Sequence, residues 1–168
     1  MKKITTVTLV VLCLLGFTTG VIAKEMWGQE GCPTSENLND VCTIDANNAW
    51  VVGDNGAVLR RTTAGWELIG MPSTASDCNF NGVHVEKSYT QYVWVVGVNK
   101  TTGYGVLIKT SRGNDATPAW TEVTIKQDLP TAFMSVKFYD EFRGYISGAN
   151  GTILFSEDKG VSWTRRPS

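Results

Sequence analysis

The sequence is short of the residues that most catalytic and metal-binding proteins depend on. His84 is the single histidine among 168 residues, and no Cys-x-x-Cys pair occurs. That combination excludes a zinc centre and a thiol-redox site. Charge is equally sparse. Formal net charge is −1, so no basic excess is available to track a nucleic-acid backbone. Only one long apolar run is present, at the N-terminus, and no stretch shows helical periodicity of any length. Proline is scarce at 5 residues, whereas glycine at 17 and tryptophan at 6 point to many turns and large apolar anchors.

The apolar run has the form of a secretory leader. Lys2 and Lys3 precede Ile4 to Phe17, and Val21-Ile22-Ala23 offers the residues a signal peptidase reads, so cleavage is expected after Ala23. The run is too short for an uncleaved membrane anchor and is broken by Thr18-Thr19-Gly20. Cys13 lies inside it and follows Leu12, which excludes a lipoprotein reading. Removing Lys2 and Lys3 takes the charge from −1 to −3. Residues 24–168 are then a single extracytoplasmic domain with no further membrane span. The remaining cysteines are Cys32, Cys42 and Cys78, an odd number for an oxidising compartment. Cys32 and Cys42 flank the start of the first strand, and a bridge between them is expected to pin the N-terminus, leaving Cys78 free.

Three stretches repeat one another, over residues of about 38–72, 79–126 and 132–168. Each opens with an alternating strand (Val41 and Thr43, Val83 and Val85, Val136 and Phe138). An aromatic-led strand ending in glycine follows: Trp50 to Gly53, Trp94 to Gly97, Tyr145 to Gly148. A third strand comes next, and a tryptophan (Trp66, Trp120 or Trp163) then opens a fourth. Asn55-Gly56 and Asn150-Gly151 separate the second and third strands and supply the positive φ angles of a tight hairpin. Four short antiparallel strands repeated every 40–50 residues or so are the pattern of propeller blades. The expected fold is therefore all-β: three four-stranded blades, a partial β-propeller, with the three tryptophans mostly buried at equivalent positions.

Between the last two strands stands Ser156-Glu157-Asp158-Lys159-Gly160-Val161-Ser162-Trp163. This resembles the Asp-box hairpin of sialidase-like propellers, Ser-x-Asp-x-Gly-x-Thr-Trp. The resemblance implies structural roles for Ser156, Asp158, Gly160, Ser162 and Trp163. Asp158 would bond turn backbone, Gly160 would take a left-handed conformation, and Trp163 would wedge between sheets. The copies at Thr62 to Trp66 and Thr110 to Gly113 are degenerate and must be held by other bonds. The longer lines Ala49 to Trp66 and Arg143 to Trp163 resemble the repeat of the Ycf48-like family, whose members form seven-bladed propellers that help assemble photosystem II. Many relatives are secreted bacterial proteins. Three blades cannot enclose such a ring, so the photosystem role does not carry over.

No sialidase constellation of arginine trio, tyrosine nucleophile and paired acids can be matched residue by residue. Scattered Asp45, Asp54, Glu67 and Glu86 suit solvated turns, and turn geometry accounts for Asp54 and Asp158 without calcium. No catalytic residue, cofactor or metal is therefore expected. Arg60 and Arg61 are the candidate ligand contacts, because an arginine fork can anchor a carboxylate or acidic peptide. Of this adjacent pair at most one can pack inward. The sequons at Asn99 and Asn150 read as turns. The resulting expectation is a secreted, non-enzymatic binding or assembly module with a protein or glycan ligand. The alternatives are a lectin or adhesin using aromatic rims such as Trp27 and Tyr92, and a sialidase-type hydrolase. Because three blades leave two blade faces open, a homo-oligomer or filament is expected.

Overall fold

The computed structural model describes residues 30–87, 91–127 and 130–166. The leader and Trp27 lie outside them. Blade 1 comprises β1 (Leu38–Asp45), β2 (Asn48–Gly53), β3 (Val58–Thr62) and β4 (Gly65–Leu68). Blade 2 comprises β5 (Cys78–Glu86), β6 (Tyr92–Asn99), β7 (Gly105–Thr110) and β8 (Thr121–Glu122). Blade 3 comprises β9 (Phe133–Phe138), β10 (Gly144–Gly148), β11 (Thr152–Ser156) and β12 (Thr164–Arg165). Each blade is a four-stranded antiparallel sheet in sequence order. The first strands stand side by side, with β5 packed against both β1 and β9. Among the described residues no helix is long and apolar enough to cross a membrane.

Backbone contact explains why glycine recurs at the end of the second strand. A Cβ on Gly53 would lie 2.0 Å from the Asn37 carbonyl oxygen, one on Gly97 2.0 Å from that of Asn79, and one on Gly148 2.7 Å from that of Ala132. The chain entering each blade runs against the second strand too closely for any side chain. At the hairpins, Asn55 (φ 54°) with Gly56 (φ 76°) and Asn150 (φ 54°) with Gly151 (φ 65°) are left-handed, within connections longer than a two-residue hairpin: residues 54–57 join β2 to β3, and residues 149–151 join β10 to β11.

Strand alternation gives each blade two faces. The leading face points toward the preceding blade and the trailing face toward the next. Trp50, Val52 and Val58 on the trailing face of blade 1 meet Phe80, Val83, Val95 and Ile108 on the leading face of blade 2. Trp94, Val96 and Leu107 on the trailing face of blade 2 meet Phe133, Val136, Ile146 and Leu154 of blade 3. These side chains are almost wholly withdrawn from water and form the core. Pairing registers place Trp66, Trp120 and Trp163 at one equivalent position, each on its blade's leading side. They are half-buried rather than mostly buried. The reason is their place beside the outermost strand, which is only two residues long in blades 2 and 3.

A β-bulge in each first strand turns one residue outward, at Asn39, Asn81 and Met134. Asn39 Nδ2 donates to the Phe80 carbonyl at 2.9 Å, and Asn81 Nδ2 to that of Phe133 at 2.9 Å. On the same exposed edge, the Val83 N–H is capped by Asp40 at 2.9 Å and its carbonyl by Lys137 at 3.0 Å. Side chains of neighbouring blades thus satisfy an edge that would otherwise be open to strand addition.

The Cys32–Cys42 bridge does not form, and all three described thiols are free. Cys42 pairs with Trp50 across β1 and β2 and packs into the core between blades 1 and 2. Cys32 lies on the opposite face of blade 1, beside Val51, Leu59 and Trp66. A sheet separates the two sulfurs, which a disulfide's short Cβ–Cβ reach cannot cross. Cys78 is buried at the start of β5, where burial first, and then the nearby Glu122 and Asp77, push its thiol pKa up.

Candidate functional site

The seam between blades 2 and 3 begins at the turn after β11. Asp158 Oδ1 accepts from the Ser156 hydroxyl (2.8 Å) and from the backbone N–H of Val161 (3.0 Å) and Ser162 (2.9 Å), while Oδ2 accepts from the Ser162 hydroxyl (2.6 Å). Burial raises the carboxyl's pKa, but these bonds to its charged form outweigh burial and hold it at about 2. Ser156 Oγ also accepts from the Gly160 N–H at 2.9 Å. Gly160 is left-handed at φ 69°, and a Cβ there would lie 2.7 Å from Trp94 Nε1.

This turn fastens blade 3 to blade 2. The Lys159 carbonyl accepts from Trp94 Nε1–H at 3.2 Å and from the Lys109 ammonium at 3.2 Å. Trp94 stacks on Phe138 with ring centroids 4.0 Å apart, and Trp163 meets Phe138 edge-on at 5.8 Å. His84 lies against both Trp94 and Phe138. Burial, with a smaller contribution from Lys137, lowers its pKa to about 4 and keeps it neutral at physiological pH. Lys109 is likewise pushed down by burial. Trp163 donates to the Gly160 carbonyl at 3.3 Å, so the turn, the wedge and the neighbouring blade form one connected network.

Arg60 and Arg61 are engaged within the molecule. Arg60 is buried, pairs with Glu67 and donates to the carbonyls of Gly113 (2.5 Å) and Asp115 (2.7 Å). It ties blade 1 to blade 2. Arg61 points to the other face, where it and Trp66 Nε1–H both bond Glu30. The structure therefore places the two arginines on opposite sides of blade 1, each with a partner of its own. The degenerate turns are held by Thr62, whose hydroxyl accepts from the Ala64 N–H (3.2 Å), and by Thr110, which accepts from the Arg112 N–H (3.1 Å).

A second arginine pair, Arg165-Arg166, stays on the surface, and its first member borders a cavity of about 210 Å³ at the outer end of the seam. Phe133, Leu154 and Trp163 form the apolar floor, and Lys126, Asn150 and Arg165 stand around the mouth. Gln127 secures the wall: its amide accepts from the Gly105 N–H (3.0 Å) and donates to the Gly105 carbonyl (2.8 Å). A Cβ on Gly105 would lie 2.6 Å from the Thr131 carbonyl oxygen and 2.7 Å from the Phe133 ring, so only glycine lets this wall close on the floor. Lys126 and Arg165 are exposed and form no ion pair among the described residues. Among the described residues, the site thus sets two cations without an ion-pair partner above an apolar floor. Sequence reading missed Lys126 and Gln127, which carry no motif. Among the described residues no group of three or more His, Cys, Asp or Glu is close enough to hold a metal ion.

No protein-family model and no curated protein sequence matches the chain. Solved structures do resemble it. YCF48 bound to a D1 peptide superposes with a TM-score of 0.64 and 21% identity, covering 79% of this chain and 40% of that one. YCF48 from Cyanidioschyzon merolae superposes with a TM-score of 0.65 and 22% identity, covering 83% of this chain and 42% of that one. The chain spans about two fifths of the length of either structure. The fold is thus that of a Ycf48-like β-propeller, of which this chain forms a three-bladed arc.

Proposed function

We propose that the protein is an extracytoplasmic, non-enzymatic binding or assembly module that holds a protein segment in the outer seam between blades 2 and 3. The observation that carries this reading is the pairing of Lys126 and Arg165, which form no ion pair among the described residues, with the floor of Trp163 and Phe133. Two cations beside an apolar hollow suit an extended peptide that presents a carboxylate next to an apolar side chain. The cations supply charge-assisted bonds, and the floor takes the apolar group out of water. A similar fold is seen with a peptide bound. Chemistry is unmotivated in the seam, because the strongly shifted groups there have structural work: His84 is packed against the Trp94 and Phe138 rings and Asp158 is saturated by its turn. The lectin reading is weaker, since the Tyr92 ring is already engaged, stacked on Trp94 and with the Lys159 ammonium 5.4 Å from its centroid.

A peptide array probed with the purified protein tests the proposal, with a glycan array run beside it. Binding to peptides with an acidic residue beside an apolar one is expected, and K126E/R165E should weaken it by about tenfold or more. Peptide binding that this double variant leaves unchanged refutes the seam assignment. Selective glycan binding supports the lectin instead.

A further inference from the structure

Blades 1 and 2 carry a cation at the same register position of the third strand, Arg60 opposite Trp50 and Lys109 opposite Trp94. Only the first has a counter-ion. Arg60 faces Glu67 across β3 and β4, and the two form an ion pair at 2.6 Å. Lys109 faces Thr121 across β7 and β8, so a hydroxyl stands where blade 1 has its carboxylate. The loops over the two cations differ as well. In the first junction the carbonyls of Gly113 and Asp115 close on Arg60, which is buried. In the second, the compact turn at Asp158 brings one carbonyl, that of Lys159, to the Lys109 ammonium at 3.2 Å, and Trp94 shares it.

Lys109 is therefore a half-buried ammonium with three donors, one shared acceptor and no ion pair among the described residues. Burial pushes its pKa down, and the charge of Asp158 offsets this only in part. The Asp158 oxygens are already taken by Ser156, Val161 and Ser162. Beside Lys109 opens a cavity of about 390 Å³, walled by Tyr92, Ser111, Arg112 and Thr121, which shares no residue with the Trp163 hollow.

We infer that this cavity binds a carboxylate, which takes the place at Lys109 that the Glu67 side chain takes at Arg60. The ammonium then gains a charge-assisted bond, and the hydroxyls of Ser111 and Thr121 offer further donors at the wall. Arg112 borders the same space but is paired with Asp115 at 2.7 Å, so the attraction rests on Lys109. The site does not depend on the peptide reading of the Trp163 hollow.

Trp94 reports on the site, because its indole N–H and Lys109 share the Lys159 carbonyl. Titrating the full chain with sodium succinate should shift the Trp94 indole N–H resonance to saturation, with the signal assigned through Trp94→Phe. Sodium chloride at matched ionic strength should leave that resonance still. Lys109→Met should abolish the shift. Thr121→Glu, which installs the missing carboxylate, should weaken succinate by about tenfold or more, and Thr121→Gln should leave its affinity within about twofold. Thr121 is exposed, so both variants keep the fold. K126E/R165E should bind succinate as the parent does. A glutamate peptide blocked at both ends, titrated in the same way, identifies the source of the carboxylate. Saturation by succinate assigns the site to a free small acid, and saturation by the peptide alone assigns it to an acidic side chain of a protein. A Trp94 signal that neither moves, a shift that chloride reproduces, or one that Thr121→Glu leaves intact or K126E/R165E removes overturns the inference.

Discussion

The two internal junctions are built on the same strand positions and differ in what fills them. Between blades 1 and 2, Trp50 meets Trp120 edge-on at 5.9 Å, its N–H reaches Gln91 at 3.4 Å, and Arg60 is bound by two carbonyls and Glu67. Between blades 2 and 3, Trp94 takes the place of Trp50 and Lys109 that of Arg60, and both converge on the Lys159 carbonyl. The first junction is an arginine fork laid into a loop; the second is an aromatic stack clamped by an Asp158-centred turn. Both junctions place an aromatic from the second strand and a cation from the third on the trailing face, and how their polar ends are satisfied is set by the next blade's loops.

The aromatic positions should give the largest effects. Trp94→Ala is expected to cost about 3–5 kcal/mol in urea unfolding, through lost stacking and a cavity beside Phe138. Trp50→Phe should cost about 1 kcal/mol more than Trp94→Phe, because it leaves the buried Gln91 side-chain oxygen without this donor, whereas Lys109 still serves the Lys159 carbonyl. Equal costs would mean that the Gln91 contact adds nothing to the first junction. Next come the cations. Arg60→Leu leaves two carbonyls without this donor and should cost about 2–3 kcal/mol, whereas Lys109→Leu should cost about 1 kcal/mol because Trp94 still serves the shared acceptor. The reverse order would break the comparison.

Acid distinguishes the junctions more gently. His84 replaces Cys42 at the equivalent trailing position, so among the described residues only the second junction contains a group whose ordinary pKa lies near neutrality. Its folded pKa of about 4 lies below the ordinary 6.5, so the unfolded chain takes the proton first. Stability is therefore full above pH 6.5 and falls as pH drops toward 4, by about 1–2 kcal/mol after allowing for partial solvation. His84→Gln should flatten that slope in urea titrations at each pH. Asp158, depressed from 3.8 to about 2, adds a smaller loss of about 1 kcal/mol as pH falls through that lower window, and Asp158→Asn should remove it.

The blades were legible in the sequence because their signals are local. Strand alternation, Asn-Gly hairpins and the recurring glycine are each fixed within a few residues, and the structure gives the glycine its cause in the Asn37, Asn79 and Ala132 carbonyls. What depended on which side of a sheet a residue takes was not legible. Cys32 and Cys42 are ten apart in sequence and on opposite faces of blade 1. Arg60 and Arg165 head two similar dipeptides, yet the first is buried by loops more than fifty residues away and the second borders a cavity. The seam itself joins Lys126 in a linker to Arg165 in the last strand, a pairing that no periodicity encodes.

The account places a peptide's apolar group on the Trp163 floor, and the indole N–H resonances test that placement most directly. Titration with the best array peptide should shift the Trp163 signal, assigned through Trp163→Phe, and leave that of Trp66 on the far face unchanged. A peptide that binds while Trp163 stays still, or that moves Trp66 instead, would contradict it.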